Sequence, residues 1–224
     1  MTMPFEDSQI RKHLERRGID RLIHFTRIEN LESILKNGLV PVKTQRRKNI
    51  HSIRNDTLRL EALLDCTSLS ISFPNFKLFY KFRQRTPGAK WVVLAIDTEA
   101  LFLPARKRYF CFRNASALIP YSNDLNSFTT AEAFSNMFCE ETPTNWKRKV
   151  KDKTEKISNR YTTDPQAEVL ISGDINSKLI KSVYFESFAD FLEYYTSNDD
   201  TLLNFFDYGV RPGLFNKRYA KYCD

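Results

Sequence analysis

Trp91-Val92-Val93-Leu94-Ala95-Ile96 is an apolar run with no polar residue to interrupt it. Its length is that of a strand, and its lack of alternation means that both faces must be covered. A chain of 224 residues is long enough for one substantial core around such a strand and too short for two full domains. Shorter strands are expected at 22–25, 69–73, 109–112, from Glu168 onward, and at 182–186. Pro74-Asn75 stops the second of these. Helices are expected at 7–17, from Thr26, at 57–64, at 76–82, from Thr129 to Phe138, and from Ser187. Strands and helices do not alternate regularly and no internal repeat is present, which favours a mixed α+β domain over a doubly wound parallel sheet.

The helix starts carry local signals. Thr26-x-x-Glu29 has the spacing of a capping box, in which side chains satisfy the first free amides. Leu31, Ile34 and Leu35 supply an apolar stripe, and Gly38 is expected as a left-handed C-cap. His24 is then expected at a strand end, just before a helix N-terminus that can meet an anion. Neither His13 nor His51 stands in such a context. Thr129-x-x-Glu132 repeats the capping pattern. Ser187-x-x-Asp190 resembles a further start, with Phe188, Phe191 and Leu192 expected to dock on the core. Residues 41–56 read as a basic loop.

Asp164-Pro165-Gln166-Ala167-Glu168-Val169-Leu170 sets a carboxylate at the mouth of an apolar strand. Pro165 and Gln166 suggest the turn that feeds it. Glu168 either faces water from an edge or is held on rigid backbone beside a loop, placed to meet a substrate. Ser68, Ser70 and Ser72 alternate with apolar residues, and so either line a pocket or form the wet face of an edge strand. Phe76, Phe79 and Tyr80 have helical spacing, which usually means core, although one of them can stack on a flat ring. Arg54 and Arg59 are either solvated charges or two-pronged phosphate clamps.

Lys and Arg number 35 against 27 acidic residues, a net charge of +8, which suits a polyanionic partner. The densest basic stretch, 145–160, includes Trp146, Lys147, Arg148, Lys149 and Lys151. It is either a solvated loop or a single-strand binder, in which an aromatic stacks on bases and cations pair with phosphates. No Walker loop or GxGxxG is present. No His and carboxylate cluster has metal spacing, and Cys66, Cys111, Cys139 and Cys223 form no CxxC pair, so neither a metal nor a disulfide framework is expected. No apolar run approaches the ~20 residues of a membrane span, and residues 1–17 lack the apolar stretch of a signal peptide. A cytoplasmic, reducing setting is expected.

An ordered set of stretches resembles the DarT family of toxins that ADP-ribosylate DNA. It comprises His24-Phe25-Thr26-Arg27-Ile28-Glu29-Asn30-Leu31, Ser33-Ile34-Leu35, Gly38-Leu39, Arg59-Leu60-Glu61, Ser70-Ile71-Ser72-Phe73-Pro74-Asn75, Leu78-Phe79-Tyr80, Trp91-Val92-Val93-Leu94, Asn114-Ala115 and the 164–170 segment. The resemblance runs from about residue 20 to 186, and Leu78 stands where the family often has Met. It implies one ADP-ribosyltransferase domain over 1–224, with two packed small sheets around an NAD cleft and a helical extension at 187–224. It implies Glu168 and Arg59 as catalytic residues, with Arg54 as the alternative to Arg59. NAD, as co-substrate, would be held by His24, Phe25, Thr26, Ser33, Arg59 and Tyr80. Single-stranded DNA would be gripped by the loop at 114–167. The Ser70–Asn75 pattern looks closer to the guanine-modifying branch than to the thymidine-modifying one. A cognate antitoxin is implied as well. Transfer to RNA or protein, a phosphate-removing variant of the fold, and a basic nucleic-acid-binding module without catalysis are the other readings.

Overall fold

The computed structural model describes residues 4–54, 63–139, 158–197 and 206–218. Seven strands run in the order β4-β5-β2-β1-β3-β6-β7. They are β1 (Arg21–Arg27), β2 (Cys66–Ile71), β3 (Trp91–Asp97), β4 (Arg108–Cys111), β5 (Glu168–Ser172), β6 (Ile180–Phe185) and β7 (Asp207–Val210). All neighbours are antiparallel except β6 and β7.

β3 lies between β1 and β6, which explains its unbroken apolar run. Val92, Leu94 and Ile96 enter one core with Leu22, Phe134 and Phe185. Trp91, Val93 and Ala95, pointing the other way, pack with Ile23, Phe79 and Phe215. Side chains alternate along a strand, so burial on both faces demands an apolar residue at every position. A third cluster, including Cys66, Tyr109, Cys111 and Leu118, covers the outer half of the sheet. Cys66 and Cys111 are thus buried thiols outside any disulfide among the described residues, and they pack as small side chains.

β1 pairs with β3 over its whole length but with β2 only at Leu22–Ile71 and Ile23–Ser70. The strand order is therefore continuous, yet the sheet forks at this two-residue ladder. One half is β4-β5-β2 and the other is β1-β3-β6-β7. The resemblance implied two packed small sheets; here the two halves stay joined through that ladder in one seven-stranded order.

The helices are α1 (Phe5–Arg17), α2 (Leu31–Asn37), α3 (Val42–Lys48), α4 (Phe76–Arg85), α5 (Ala131–Asn136) and α6 (Phe188–Ser197). Several depart from the sequence reading. Thr26 opens no helix: its backbone pairs with Val92 in β1, and α2 begins only at Leu31 after a short 3-10 turn. His24 accordingly sits within the strand, not at its end. Gly38 ends α2 at φ 80 and ψ −174, outside the left-handed helical region. α5 is capped one residue later than expected, by Thr130, whose hydroxyl accepts from the Ala133 amide at 3.1 Å. The basic 41–56 stretch contains α3, a helix that buries no residue and so leaves no apolar period to read.

The expected helix start at Ser187 is present, with its hydroxyl accepting from the Asp190 amide at 3.1 Å. α6 docks through Phe191 and Tyr194, whereas Phe188 and Leu192 are exposed. Beyond α6 the chain is not simply helical. β7 extends the sheet in parallel with β6, Phe215 packs on Phe79, and Arg83 of α4 donates to the Phe215 carbonyl at 2.7 Å. The expected helix at 57–64 falls almost wholly outside the described residues.

Candidate active site

Past the short ladder, β1 and β2 both contribute walls to a cavity of about 810 Å³. His24 lines it from β1, and Ser68 and Ser70 line it from β2. His24 Nδ1 lies 3.1 Å from the Ser68 carbonyl. A carbonyl can only accept, so Nδ1 carries the proton, and in the neutral ring Nε2 is the acceptor. This bond bridges the fork and fixes the imidazole. Ser68 and Ser70 thus lie on a pocket wall, as one sequence reading had it. Ser70 Oγ also accepts from the Asn75 amide at 3.1 Å. Ser72 is not part of the lining.

Glu168 lines the same cavity more than a hundred positions after His24. It opens β5, which lies between β4 and β2 and is not an edge. The residue is 7% exposed. Its Oε2 accepts from the Ala115 amide at 2.9 Å, and its Oε1 accepts from Asn114 Nδ2 at 3.3 Å. Asn114 is itself oriented, since its Oδ1 accepts from the Ser116 amide at 3.0 Å. The turn before the strand is held by Asp164, which accepts the Gln166 amide at 2.8 Å. A carboxylate with both oxygens engaged has one orientation, which is what a transition-state contact requires.

Thr26, Phe25, Ser33 and Arg54 also border the cavity. Phe25 stacks on Phe79 with ring centroids 4.4 Å apart, so its ring is anchored in the core. Asn30, buried beneath them, donates from Nδ2 to Thr26 Oγ1 at 3.0 Å and to the Ile53 carbonyl at 2.9 Å. Its Oδ1 accepts the Ile53 amide at 2.7 Å. One asparagine therefore grips both backbone groups of Ile53 and moors the segment that carries Arg54.

Tyr80 is separated from this group. It is 65% exposed and borders a second cavity of about 840 Å³ with Phe76, Gln84 and Phe215. The cavity takes the face of α4 that carries Lys77, Leu78, Lys81 and Arg85, and at about 100° per residue Tyr80 falls on the far side of the helix. Arg59, Trp146, Lys147, Arg148, Lys149 and Lys151 lie outside the described residues.

Sequence reasoning assigned no role to Asn30, Asn75 or Asn114. Each sits inside a stretch that carried the resemblance, and each makes its contact across a turn or to a distant strand, so spacing alone could not expose it. Lys77, Lys81 and Arg85 of α4 also border the cavity. Among the described residues no group of His, Cys, Asp or Glu is arranged to hold a metal ion, and no helix is long and apolar enough to cross a membrane.

Such a cavity falls within the ~300–1,000 Å³ typical of small-molecule sites. Its oriented carboxylate, fixed imidazole, hydroxyls and cations suit a large, polar, anionic ligand.

Residues 23–212 match the family model described as "DarT: ssDNA thymidine ADP-ribosyltransferase, DarT", beyond the limit near 186 set by the sequence reading. The fold is similar to that of Thermosipho africanus DarTG in complex with ADP-ribose, at 15% identity and a TM-score of 0.56 over 88% of this chain and 51% of that one. This chain thus spans about half the length of that protein. It is also similar to Thermus sp. 2.9 DarT in complex with NAD+, at 16% identity and a TM-score of 0.51 over 88% of this chain and 98% of that one. No curated protein matches the chain.

Proposed function

The chain belongs to the DarT family of single-stranded-DNA ADP-ribosyltransferases, and on that premise we propose that it transfers ADP-ribose from NAD to a base of single-stranded DNA. The observation that supports this reading most is that His24 and Glu168, from opposite halves of a forked sheet, line one cavity. His24, Phe25, Thr26 and Ser33 would hold the nicotinamide–ribose end, with Arg54 or Arg59 on phosphate. Glu168 would act on the reacting ribose.

Its carboxylate would hydrogen-bond a ribose hydroxyl and face the positive charge that grows as the glycosidic bond breaks and its electron pair leaves with nicotinamide. One charge pair at ~4 Å and an effective dielectric of ~20 amounts to about 4 kcal/mol. That is roughly a thousandfold in rate if it is realised only in the transition state. The base nitrogen then bonds to the ribose carbon and gives up a proton, for which Glu168 is the one carboxylate among the described lining residues. A stacked, paired base is out of reach, which is why a single strand is the acceptor.

The Ser70–Asn75 pattern supports guanine as the target, whereas the matching family model is described by thymidine. Incubation with labelled NAD and oligonucleotides of single-base composition tests both points. Label on dG oligomers supports the guanine reading, label on dT oligomers replaces guanine with thymidine, and no label on any strand defeats the transferase reading. The same family membership motivates an antitoxin that removes the mark; its co-expression should relieve growth arrest caused by this chain.

A further inference from the structure

We propose that the N-terminus of α4 is an anion site, organised by Asn75, that takes a phosphate group of a ligand in the His24–Glu168 cavity. Asn75 is 1% exposed and lines that cavity. Its backbone is fixed at both ends: the amide donates to Ser70 Oγ at 3.1 Å, and the carbonyl accepts from the Phe79 amide at 2.9 Å. Its Oδ1 accepts from the Leu78 amide at 3.1 Å, as an N-cap should. That bond assigns the carboxamide, because a backbone N–H needs an oxygen opposite it.

Nδ2 is thereby turned the other way. It is buried and has no hydrogen-bond partner among the described residues. A buried donor without an acceptor destabilises the chain that contains it, and such groups are rare unless something else completes them. An oxygen of a bound ligand completes this one.

The surroundings favour a negatively charged oxygen. α4 is ten residues long and its first turn holds no acidic residue, so the partial positive charge of its N-terminus is not offset there. Lys77 and Lys81, one turn apart, border the same cavity, and neither has an acidic partner among the described residues. A buried amide donor, a helix N-terminus and two cations on one wall fit a phosphate. The proposal rests on the function given above, whose two substrates both carry this chemistry: the dinucleotide as a pyrophosphate, the DNA as phosphodiesters.

The test is to titrate ADP-ribose, nicotinamide and a single-stranded decanucleotide into the wild-type chain, Asn75→Asp and Lys77→Gln. Aspartate caps a helix as well as asparagine does, but its charge would be buried without a partner, so Asn75→Asp is read where it melts near the wild type; Asn75→Ser, a capping residue without charge, serves where it does not. The expected result is at least tenfold weaker ADP-ribose binding in Asn75→Asp and a smaller loss in Lys77→Gln, with nicotinamide binding unchanged. Weaker oligonucleotide binding with ADP-ribose unaffected would place the phosphate on the DNA strand. Equal affinities of wild type and Asn75→Asp for both phosphate ligands overturn the site, as does a parallel loss of nicotinamide. A wild-type chain that binds ADP-ribose but labels no DNA removes the transferase reading and leaves the anion site standing.

Discussion

The Glu168 carboxylate and the Ala115 amide lie 2.9 Å apart, next to the Cys111–Glu168 pair that closes the β4–β5 ladder. The turn after β4 thus holds the acidic group that opens β5, and the rigidity of the sheet reaches the carboxylate itself. Glu168→Gln keeps the shape and loses the charge. Transfer should fall about a thousandfold, while NAD affinity changes less than about threefold; the new amide nitrogen must face one of two N–H donors, so the melting temperature should fall modestly. Single-turnover labelling with calorimetric titration measures this, and an unchanged rate would remove Glu168 from the chemistry.

His24 should show the opposite kinetic pattern. Its ring bridges the fork through Ser68 and is proposed to hold the donor, not to act on the breaking bond. His24→Ala is expected to raise KM for NAD about tenfold, the worth of roughly one to two hydrogen bonds. Turnover at saturating NAD should fall far less than in Glu168→Gln.

Asn30→Ala releases Ile53 from both sides. Loss of a buried bidentate clamp should lower stability by about 1–3 kcal/mol, visible in urea denaturation. NAD affinity should fall as well, because Arg54 loses its mooring. Arg54→Ala added to Asn30→Ala should then cost less affinity than it does alone.

Gly38→Ala tests a purely structural contact. A Cβ there would stand 2.1 Å from the Ile175 carbonyl oxygen, on a backbone with φ of +80°. The strand-like bridge between Leu39 and Ile175 leaves that backbone nowhere to retreat. The expected loss is at least about 2 kcal/mol, read as a lower denaturation midpoint.

Replacing Lys147, Arg148, Lys149 and Lys151 with Gln should weaken oligonucleotide binding and flatten its salt dependence. Each lost phosphate contact on a single strand reduces the slope of log K against log salt by about 0.7. An unaltered slope would dismiss this segment as a DNA contact.

What could be read from the sequence was what period and composition encode. The 91–96 run announced a strand covered on both faces, and the Pro165–Gln166 turn before Glu168 announced a carboxylate at a strand mouth. The four-residue pattern at Thr26 misled because strand pairing with Val92 outweighed a local cap. α3 went unseen because it buries nothing. Tyr80 lies apart from the cavity of His24 and Glu168 because the period of α4 turns it away from the face of Lys77, Lys81 and Arg85. Asn30, Asn75 and Asn114 were invisible as site residues, since what each does depends on the backbone it meets and not on its neighbours in sequence.

The two-residue ladder between β1 and β2 has a consequence for how such a protein can change. Its pocket is a seam left unstitched in the middle of the sheet, so the floor is made from strands that also carry the hydrophobic centre. Substitutions on that floor are constrained twice, by ligand and by folding. The rim side chains of Lys77, Lys81, Arg85 and Ser116 belong to none of the buried clusters, so they answer to what enters, and variation in substrate choice should gather there.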